Sequence, residues 1–333
     1  MKQVHRCHSP TNTHLTKSSD AYLALPTKVS KQIIKRVTST WRGYFQGHKE
    51  WRKSPEKFFA EPKIPKYKDK QKGLPVVIYS HESVYKQSLK RGICHLSMSN
   101  IQIPTKVQKV VEVRIVPATA CYFVEIVYEK PEQQSVNSNY IAGVDLGIDR
   151  LVALSTNKPG VRPLLINGKP LKSVNKHYNK LKAKYQSYLT GKRRTSNKIE
   201  SLTYYRNRFV DNYIHQTSRI IVDYLVEHNI KTLVIGKNDN WKQKVNIGKR
   251  NNQQFTQIPH SKLVKQLTYK CQLVGIEVIE TEESYTSKTS ALDLEKPCKH
   301  ETYEGRRVKR GLFKSSSGKV INADVNGSRP IKR

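Results

Sequence analysis

Residues 141–154 read IAGVDLGIDRLVAL, and this stretch decides how the rest of the chain is interpreted. It predicts a short apolar strand that carries one acid, Asp145, followed by a turn and a second apolar run. Glycines at 143 and 147 flank the acid, which suits a backbone that another group approaches closely. A buried carboxylate is costly unless it is paired or holds a cation. Two interpretations of Asp145 stay open here: a metal ligand of a nuclease, or an acid in a hairpin turn.

The charge of the chain indicates a polyanionic partner. The 333 residues hold 61 Lys and Arg against 26 Asp and Glu, a formal net charge of +35. Such an excess opposes the compact state through self-repulsion and suits nucleic acid, whose binding releases counterions. No apolar run approaches the roughly 18 residues of a spanning helix, and no signal peptide opens the sequence, so no membrane partner is expected.

The cysteines are scattered and odd in number. They are Cys7, Cys94, Cys121, Cys271 and Cys298, without a CxxC pair. This usage predicts a reducing compartment, no disulfide framework and no ordinary zinc site.

The first part of the chain predicts three segments. Residues 1–20 predict a disordered end, and residues 21–72 a basic amphipathic helix followed by an extended basic strap. Residues 73–131 hold four or more short β-rich runs and predict a small barrel, of a wedge-like type, or a sandwich. A polar linker over 131–139 ends this part. Aromatic residues of the strap could stack on bases or anchor the strap to the core.

Residues 140–328 predict an α/β domain with the order β–β–hairpin–α–β–α–β. Its strands 232–236 and 276–281 should end at the edge that carries Asp145. Within it, residues 169–208 predict two helices joined near Gly191 and hold twelve Lys or Arg against one acid. That imbalance favours contact with phosphates over a solvated helical face.

The end of this domain predicts a basic loop and then a second acid. The loop reads GRRVKRGLFKSSSGK over 305–319. Asp324 follows a short apolar strand at a predicted helix start.

Seven short segments, in order, resemble the TnpB (OrfB) family of transposon-encoded proteins. They span roughly residues 22–328 and read LPTKVSKQIIK, PKIPKYK, GVDLGIDRLVALST, TLVIGKNDNWKQ, PHSKLVKQLTYKCQLVGIEV, SYTSKTS and INADVNGS. The resemblance implies an RNA-guided DNA nuclease, related to type V CRISPR effectors, with an RNase H-like (RuvC) mixed sheet and a helical insertion. It implies a guide RNA from the transposon end, a target DNA, and metal-dependent cleavage that supports transposition. It also implies a cytoplasmic, nucleoid-associated prokaryotic protein.

Nucleases of this kind need about three carboxylates at one sheet edge, where they hold Mg²⁺. By resemblance, Asp145 and Asp324 are the outer pair. The family's middle Glu normally ends the strand TLVIG, where this chain has Gly236. We expect Glu282 or Glu283, directly after the next strand, to replace it. The expected catalytic residues are Asp145, Glu282, Glu283 and Asp324, and the expected metal ligands are Asp145, Glu283 and Asp324. Asp239, in the intervening loop, is the rival.

Two further departures from the family pattern shape the expectations. The usual four-cysteine zinc ribbon is degenerate over 287–320: Ser290 stands at the first cysteine position and Cys298 is the only cysteine there. A structural zinc site needs four ligands, so no zinc is expected. The chain also begins close to the first matching segment and stops at Arg333, which is shorter at both ends than the family pattern.

Alternative functions follow from these departures. The chain could be a nuclease-inactive guided DNA-binding protein or repressor, or a truncated remnant. A basic RNA- or ribosome-binding protein would explain the charge but not the ordered motifs.

The residues expected to contact nucleic acid are Lys63, Lys66, Lys68, Lys180, Lys182, Lys184, Lys192, Arg193, Arg194, Trp241, Lys242, Arg306 and Arg307.

The charge of the predicted helical pair gives a direct test. Binding of RNA and DNA should weaken roughly 10³–10⁵-fold between about 50 and 200 mM salt, because several phosphates release counterions. Replacing Lys180, Lys182, Lys184, Arg193 and Arg194 together by Gln should reduce both affinity and salt slope, measured by fluorescence anisotropy. A flat salt response, or unchanged binding by this variant, would contradict the prediction.

Overall fold

The computed structural model describes residues 18–69, 73–236, 248, 252–253, 256–281, 286–309 and 311–329. The chain divides into two compact units, residues 1–129 and 130–333. Each unit has its own hydrophobic core. The predicted disordered end lies almost entirely outside the described ranges. The finer division predicted for the first unit, at residue 72, stays a prediction.

The first unit contains a long helix and short antiparallel strands. Its helices are α1 (Asp20–Leu23), α2 (Thr27–Lys53) and α3 (Lys86–Lys90). Its strands are β1 (Val77–Ser80), β2 (Ile93–His95), β3 (Gln102–Pro104), β4 (Glu112–Pro117) and β5 (Tyr122–Val127). Strands β1, β4 and β5 form one antiparallel sheet in that order, and β2 pairs with β3. The barrel-like arrangement stays a prediction.

Helix α2 is the predicted amphipathic helix. It ends at Lys53, shortly before Pro55, because a residue preceding proline disfavours the helical conformation. Near its start, Val29 is fully buried in a core that also contains Leu96 and Val113. The helix is therefore fixed to the strands at its beginning.

The second unit contains one larger sheet, flanking helices and a small sheet near its end. Its strands are β6 (Ile141–Leu146), β7 (Arg150–Thr156), β8 (Leu164–Asn167), β9 (Thr232–Gly236), β10 (Glu277–Thr281), β11 (Arg306–Lys309), β12 (Leu312–Lys314) and β13 (Val320–Asn322). Its helices are α4 (Lys169–Ser187), α5 (Asn197–Glu227), α6 (His260–Gln272) and α7 (Ala323–Ser328).

The five-stranded sheet has the order β10–β9–β6–β7–β8. Strands β6, β7 and β8 are antiparallel neighbours, whereas β9 and β10 run parallel to β6. The predicted mixed α/β architecture is confirmed. Asp145 lies on the central strand β6, opposite Ala153 of β7. Because β9 and β10 run parallel to β6, all three strands end at the same edge of the sheet.

Helices α5 and α6 bury their apolar sides against this sheet. In α5, Val210, Ile214, Ile221 and Leu225 recur at helical spacing and are buried. They share a core with Leu233 of β9 and other strand residues. The predicted break between two basic helices is also present, since α4 ends at Ser187 and α5 begins at Asn197. Within the described ranges, no helix has the length and apolar character needed to cross a bilayer.

The predicted basic loop over 305–319 is wrong in part. Strands β11, β12 and β13 form a three-stranded antiparallel sheet, with Gly311 at φ +81° between β11 and β12. The reason is Phe313, which is 1% exposed. A Cβ on Gly305 would lie 2.4 Å from the Phe313 ring, so this glycine makes room for it. Burial of this one aromatic side chain therefore folds a segment whose high positive charge had indicated a loop.

The junction between β8 and α4 lies against the turn between β6 and β7. Gly168 N donates to the Asp149 carbonyl oxygen at 2.9 Å. A Cβ on Gly168 would lie 2.0 Å from the carbonyl oxygen of Ile148, which is backbone and cannot move aside cheaply. The start of α4 is therefore held next to the turn that follows Asp145.

Gly168→Ala is expected to destabilise the second unit by about 1–3 kcal/mol, because the added methyl group overpacks a backbone contact. The measurement is the free energy of unfolding in denaturant. Gly43→Ala, in the middle of α2, is the control: an added Cβ there meets nothing within 4 Å. It should be neutral or stabilising by up to about 1 kcal/mol. Equal stability of Gly168→Ala and the unmodified protein would show that the junction is looser than described.

Candidate functional site

A cavity of about 750 Å³ lies at the edge of the sheet where Asp145 is placed. It is lined by Asp145, Gly147, Ile148, Asp149, Arg150, Ala153, Lys169, Arg307, Gly311, Asn322 and Asp324. Three carboxylates and three cationic side chains thus border one space. The structure brings the predicted outer pair, Asp145 and Asp324, to the same cavity. Their role as metal ligands stays a prediction.

The position of Asp145 is set by β6 and by the turn that follows it. The turn is closed by Gly147 N, which donates to Leu151 O at 3.3 Å. His260, at the start of α6 and 1% exposed, lies with Nε2 2.9 Å from the Gly147 carbonyl oxygen. Because a carbonyl oxygen only accepts, Nε2 carries the proton. The sequence predicted only a helix start here, capped near Ser261, and did not reveal this contact.

The position of Asp324 is set by the cap of α7. The Asn322 side-chain oxygen accepts hydrogen bonds from Asp324 N at 2.9 Å and Val325 N at 3.2 Å. Three residues after Asp324, a Cβ on Gly327 would lie 3.2 Å from Asp145 Oδ2. Residues three apart share a face of a helix. The face of α7 that carries Asp324 is therefore the face that contacts the Asp145 carboxylate.

Helix α7 is held in place by buried polar contacts. Asn326, 3% exposed, accepts from Ala291 N at 2.9 Å and donates to Thr289 O at 2.8 Å. Ser328 Oγ donates to Ser155 Oγ of β7 at 3.0 Å. A short helix with few apolar residues is fixed here by hydrogen bonds on both of its sides.

Several cavity residues were missed by sequence reasoning. Asp149 pairs with Lys172 of α4 at 2.5 Å, and Arg150 and Lys169 also line the cavity. Asp149 and Arg150 stand within residues 141–154, four and five residues after Asp145, so their nearness to Asp145 in sequence could have identified them as candidates. What the sequence could not show is that the turn and the start of α4 meet at one cavity.

The donor set fits a magnesium ion held by two carboxylates. Mg²⁺ is usually bound by one or two protein carboxylates together with waters and phosphates, and Asp145 and Asp324 supply two at one cavity. Within the described ranges, no three His, Cys, Asp or Glu side chains are close enough together to hold a metal ion. Glu282, Glu283 and Asp239 lie outside the described residues. Gly236 ends β9, next to β6.

The basic helices α4 and α5 present most of their cations to solvent. Lys180 and Lys184 of α4 are exposed, and so are Lys192, Arg193 and Arg194 in the loop between α4 and α5. Lys182 is half-buried, with Nζ 5.6 Å from the centre of the Tyr178 ring.

Arg206 of α5 serves the interior instead. It donates to Asn175 Oδ1 at 2.8 Å and to Gln257 O at 2.9 Å. Burial lowers the pKa of its guanidinium, with opposing contributions from Tyr178 and Asp211. Like Lys172, it is used for packing rather than presented to a partner.

The remaining predicted contacts are spread over other elements. In the first unit, Lys63, Lys66 and Lys68 of the strap are exposed, as is Tyr67 beside them. In the second unit, Arg306 and Arg307 are exposed on β11. Trp241 and Lys242 lie outside the described residues.

Comparison with known proteins gives two family matches and distant structural likenesses. Residues 125–242 match the family OrfB_IS605, described as a probable transposase. Residues 260–331 match the family described as Cas12f1-like, TNB domain. No curated protein sequence matches the chain.

Among solved structures, a complex of Cas12f1 with single-guide RNA and target DNA is similar with a TM-score of 0.49 and 19% identity, over 66% of this chain and 44% of that one. A CRISPR-Cas12f ternary complex is similar with a TM-score of 0.44 and 14% identity, over 100% and 80% of the two chains. The mini-RNA-guided endonuclease CRISPR-Cas_phi3 has a TM-score of 0.39 and 13% identity, over 83% and 63%. These values describe distant likenesses only.

The two family matches follow one another along the chain, almost entirely within the second unit, and together cover more than half of the chain. Their boundaries include both acids of the cavity, Asp145 in the first match and Asp324 in the second. Over these residues the chain is similar to the OrfB_IS605 (TnpB-type) probable transposases and to the TNB domain of Cas12f1-like proteins.

Proposed function

We propose that this chain is an RNA-guided DNA endonuclease that cleaves its target at the cavity between β6 and α7. One observation carries the proposal: Asp145 and Asp324, far apart in sequence, border the same cavity, and α7 contacts the Asp145 carboxylate. The proposal includes an RNase H-like sheet. Its support is the mixed order, three antiparallel strands and then two parallel ones, with the acid on the central strand.

The residues around the cavity suit a phosphodiester substrate. Asp145 and Asp324 would hold Mg²⁺, which when bound stabilises charge on the reacting oxygens and lowers the pKa of a bound water. Arg150, Lys169 and Arg307 would hold the phosphates of the DNA strand through charge-assisted hydrogen bonds. These cations also offset the repulsion between an acidic cavity and a polyanion.

The proposed partners are a guide RNA from the transposon end and a matching DNA. Base pairing would supply the sequence specificity, while the protein reads backbone shape and a short flanking motif. The exposed cations of α4, of α5 and of the loop between them would contact phosphates. In this proposal the cleavage supports transposition of the element that encodes the protein.

The third carboxylate of the site is proposed to be Glu282 or Glu283. Both directly follow β10, which runs parallel to β9 and β6 and ends at the same edge. Neighbouring strands lie about 4.8 Å apart, so this position starts about 10 Å from β6. A long side chain or a curved loop could cover that distance. Asp239 is the rival, with a shorter side chain.

A guided DNA-binding protein without cleavage is the second candidate function. It is favoured by Gly236 at the position of the family's middle Glu. Both candidates bind the same partners, so cleavage alone separates them.

The carboxylates are tested by Mg²⁺-dependent cleavage of a guide-matched DNA. Asp145→Ala and Asp324→Ala should each lower the rate by about 10³-fold or more, because a lost ligand removes several kcal/mol of transition-state stabilisation. One of the two variants Glu282→Gln and Glu283→Gln should show a similar loss of cleavage rate. The matched control is Asp223→Asn, an exposed acid on α5 that pairs with Arg219, which should cleave normally.

Two other outcomes are informative. A loss confined to Asp239→Asn would move the third ligand into the loop. Matched DNA that is bound but never cut by the unmodified protein would support the guided binder.

The contact between α7 and Asp145 is tested by Gly327→Ala. The added methyl group would lie 3.2 Å from Asp145 Oδ2, so the carboxylate must shift. We expect about a tenfold loss in cleavage rate, with nucleic-acid affinity unchanged. In a double-mutant cycle, Gly327→Ala should cost less unfolding free energy in an Asp145→Ala background, where its neighbour is gone. Equal costs in both backgrounds would contradict the contact.

A further inference from the structure

We propose that Asp293 closes a clasp, formed by Ser290, Asp293 and Ser316, which positions Asp324 at the cavity. Ser290 Oγ donates to Asp293 Oδ2 at 2.5 Å. Ser316 donates twice, from N to Oδ2 at 3.0 Å and from Oγ to Oδ1 at 2.7 Å. One carboxylate therefore joins two segments that are far apart in sequence, and both of its oxygens accept hydrogen bonds.

The clasp is built for an ionised carboxylate. All three contacts reach Asp293 as donors, and only the ionised form accepts on both oxygens without offering a proton. The hydrogen bonds from Ser290 and then from Ser316 hold the pKa of Asp293 below its ordinary value. Ser290 itself is fully buried, so its hydroxyl needs this acceptor.

A second carboxylate closes the same segment from its other end. Glu295, whose side chain is 5% exposed, accepts from Ser290 N at 2.7 Å and from Glu304 N at 3.3 Å. Glu295 N donates back to Ser290 O at 3.1 Å. Residues 290–295 thus form a compact turn that is fixed by its own acids.

This turn contacts α7 directly. Thr289, just before the turn, and Ala291, within it, exchange hydrogen bonds with Asn326, and Arg329 Nη1 donates to Ala291 O at 3.2 Å. The turn therefore holds the end of α7.

The Ser316 side of the clasp is connected through β13 to the start of α7. Ser316 belongs to the tight turn between β12 and β13, closed by Ser315 N donating to Lys319 O at 2.9 Å. Strand β13 ends at Asn322, the residue that caps α7 and lines the cavity. The clasp links the turn 290–295, which contacts the end of α7, to the β12–β13 turn, which leads to its start. It therefore fixes the helix that carries Asp324 and Gly327. Asp293 is a positioning residue and does not itself line the cavity.

The functional part of this inference rests on the proposed function, since only there does Asp324 hold a metal ion. The test uses the full chain without guide RNA, with Asp293→Asn and Ser316→Ala. The control is Ser317→Ala, the neighbouring exposed serine, whose hydroxyl pairs with Ser315. The readouts are amide hydrogen exchange, Mn²⁺ affinity by calorimetry and affinity for a labelled oligonucleotide.

Asp293→Asn should accelerate exchange of the α7 amides and raise the Kd for Mn²⁺, each by about tenfold, because hydrogen bonds to a charged group are among the stronger ones. Ser316→Ala should shift both in the same direction by less, and Ser317→Ala by little. Oligonucleotide affinity should stay within about twofold, since the proposed phosphate contacts of α4 and α5 are not part of the clasp.

Unchanged α7 exchange in Asp293→Asn would overturn the clasp, as would an equal effect of Ser317→Ala and Ser316→Ala. Faster exchange throughout the second unit would show a general loss of stability and would also overturn it. If Asp145→Ala leaves Mn²⁺ affinity unchanged, the metal site of the proposed function fails, and α7 exchange still decides the clasp.

Discussion

The close approach of α7 to the Asp145 carboxylate is the constraint on which the site depends. A carboxylate on the central strand of a sheet can act only if the chain that covers it leaves room. Gly327 leaves that room, since a Cβ there would lie 3.2 Å from Asp145 Oδ2. The same helix face carries Asp324, so the packing of α7 next to Asp145 also places the second acid at the cavity. This arrangement makes the end of the chain part of the site.

The α/β architecture was predictable because its strands are short apolar runs, separated either by turn residues or by helices with clear apolar spacing. Asp145 and Asp324 were singled out from the sequence because the first stands within a short apolar strand and the second follows one, and the family resemblance then supported their pairing. Asp149, Arg150 and Lys169 were missed because their meeting depends on a turn packing against the start of α4. That contact is tertiary, made possible by the lack of a side chain at Gly168. The local sequence pattern does not show that two backbone segments distant in sequence pack against each other.

The segment near the end of the chain shows a second limit of sequence reasoning. Its many cations indicated a loop, yet the burial of Phe313 folds it into β11, β12 and β13. Ser290 was recognised only as a missing cysteine. In the structure it is a buried donor to Asp293, so the position is occupied by different chemistry rather than left without a role. Net charge is misleading in the same way, because Lys172 and Arg206 serve internal contacts.

In the proposed metal site, Asp145 and Asp324 hold one metal ion between them. The most direct measurement is anomalous diffraction from crystals of the protein soaked with Mn²⁺ in place of Mg²⁺. We expect an anomalous peak within coordination distance of both carboxylates, about 2.0–2.2 Å from an oxygen of each, close to the Mg²⁺–oxygen distance. A peak that contacts only one of the two acids, or no peak at the cavity, would contradict it.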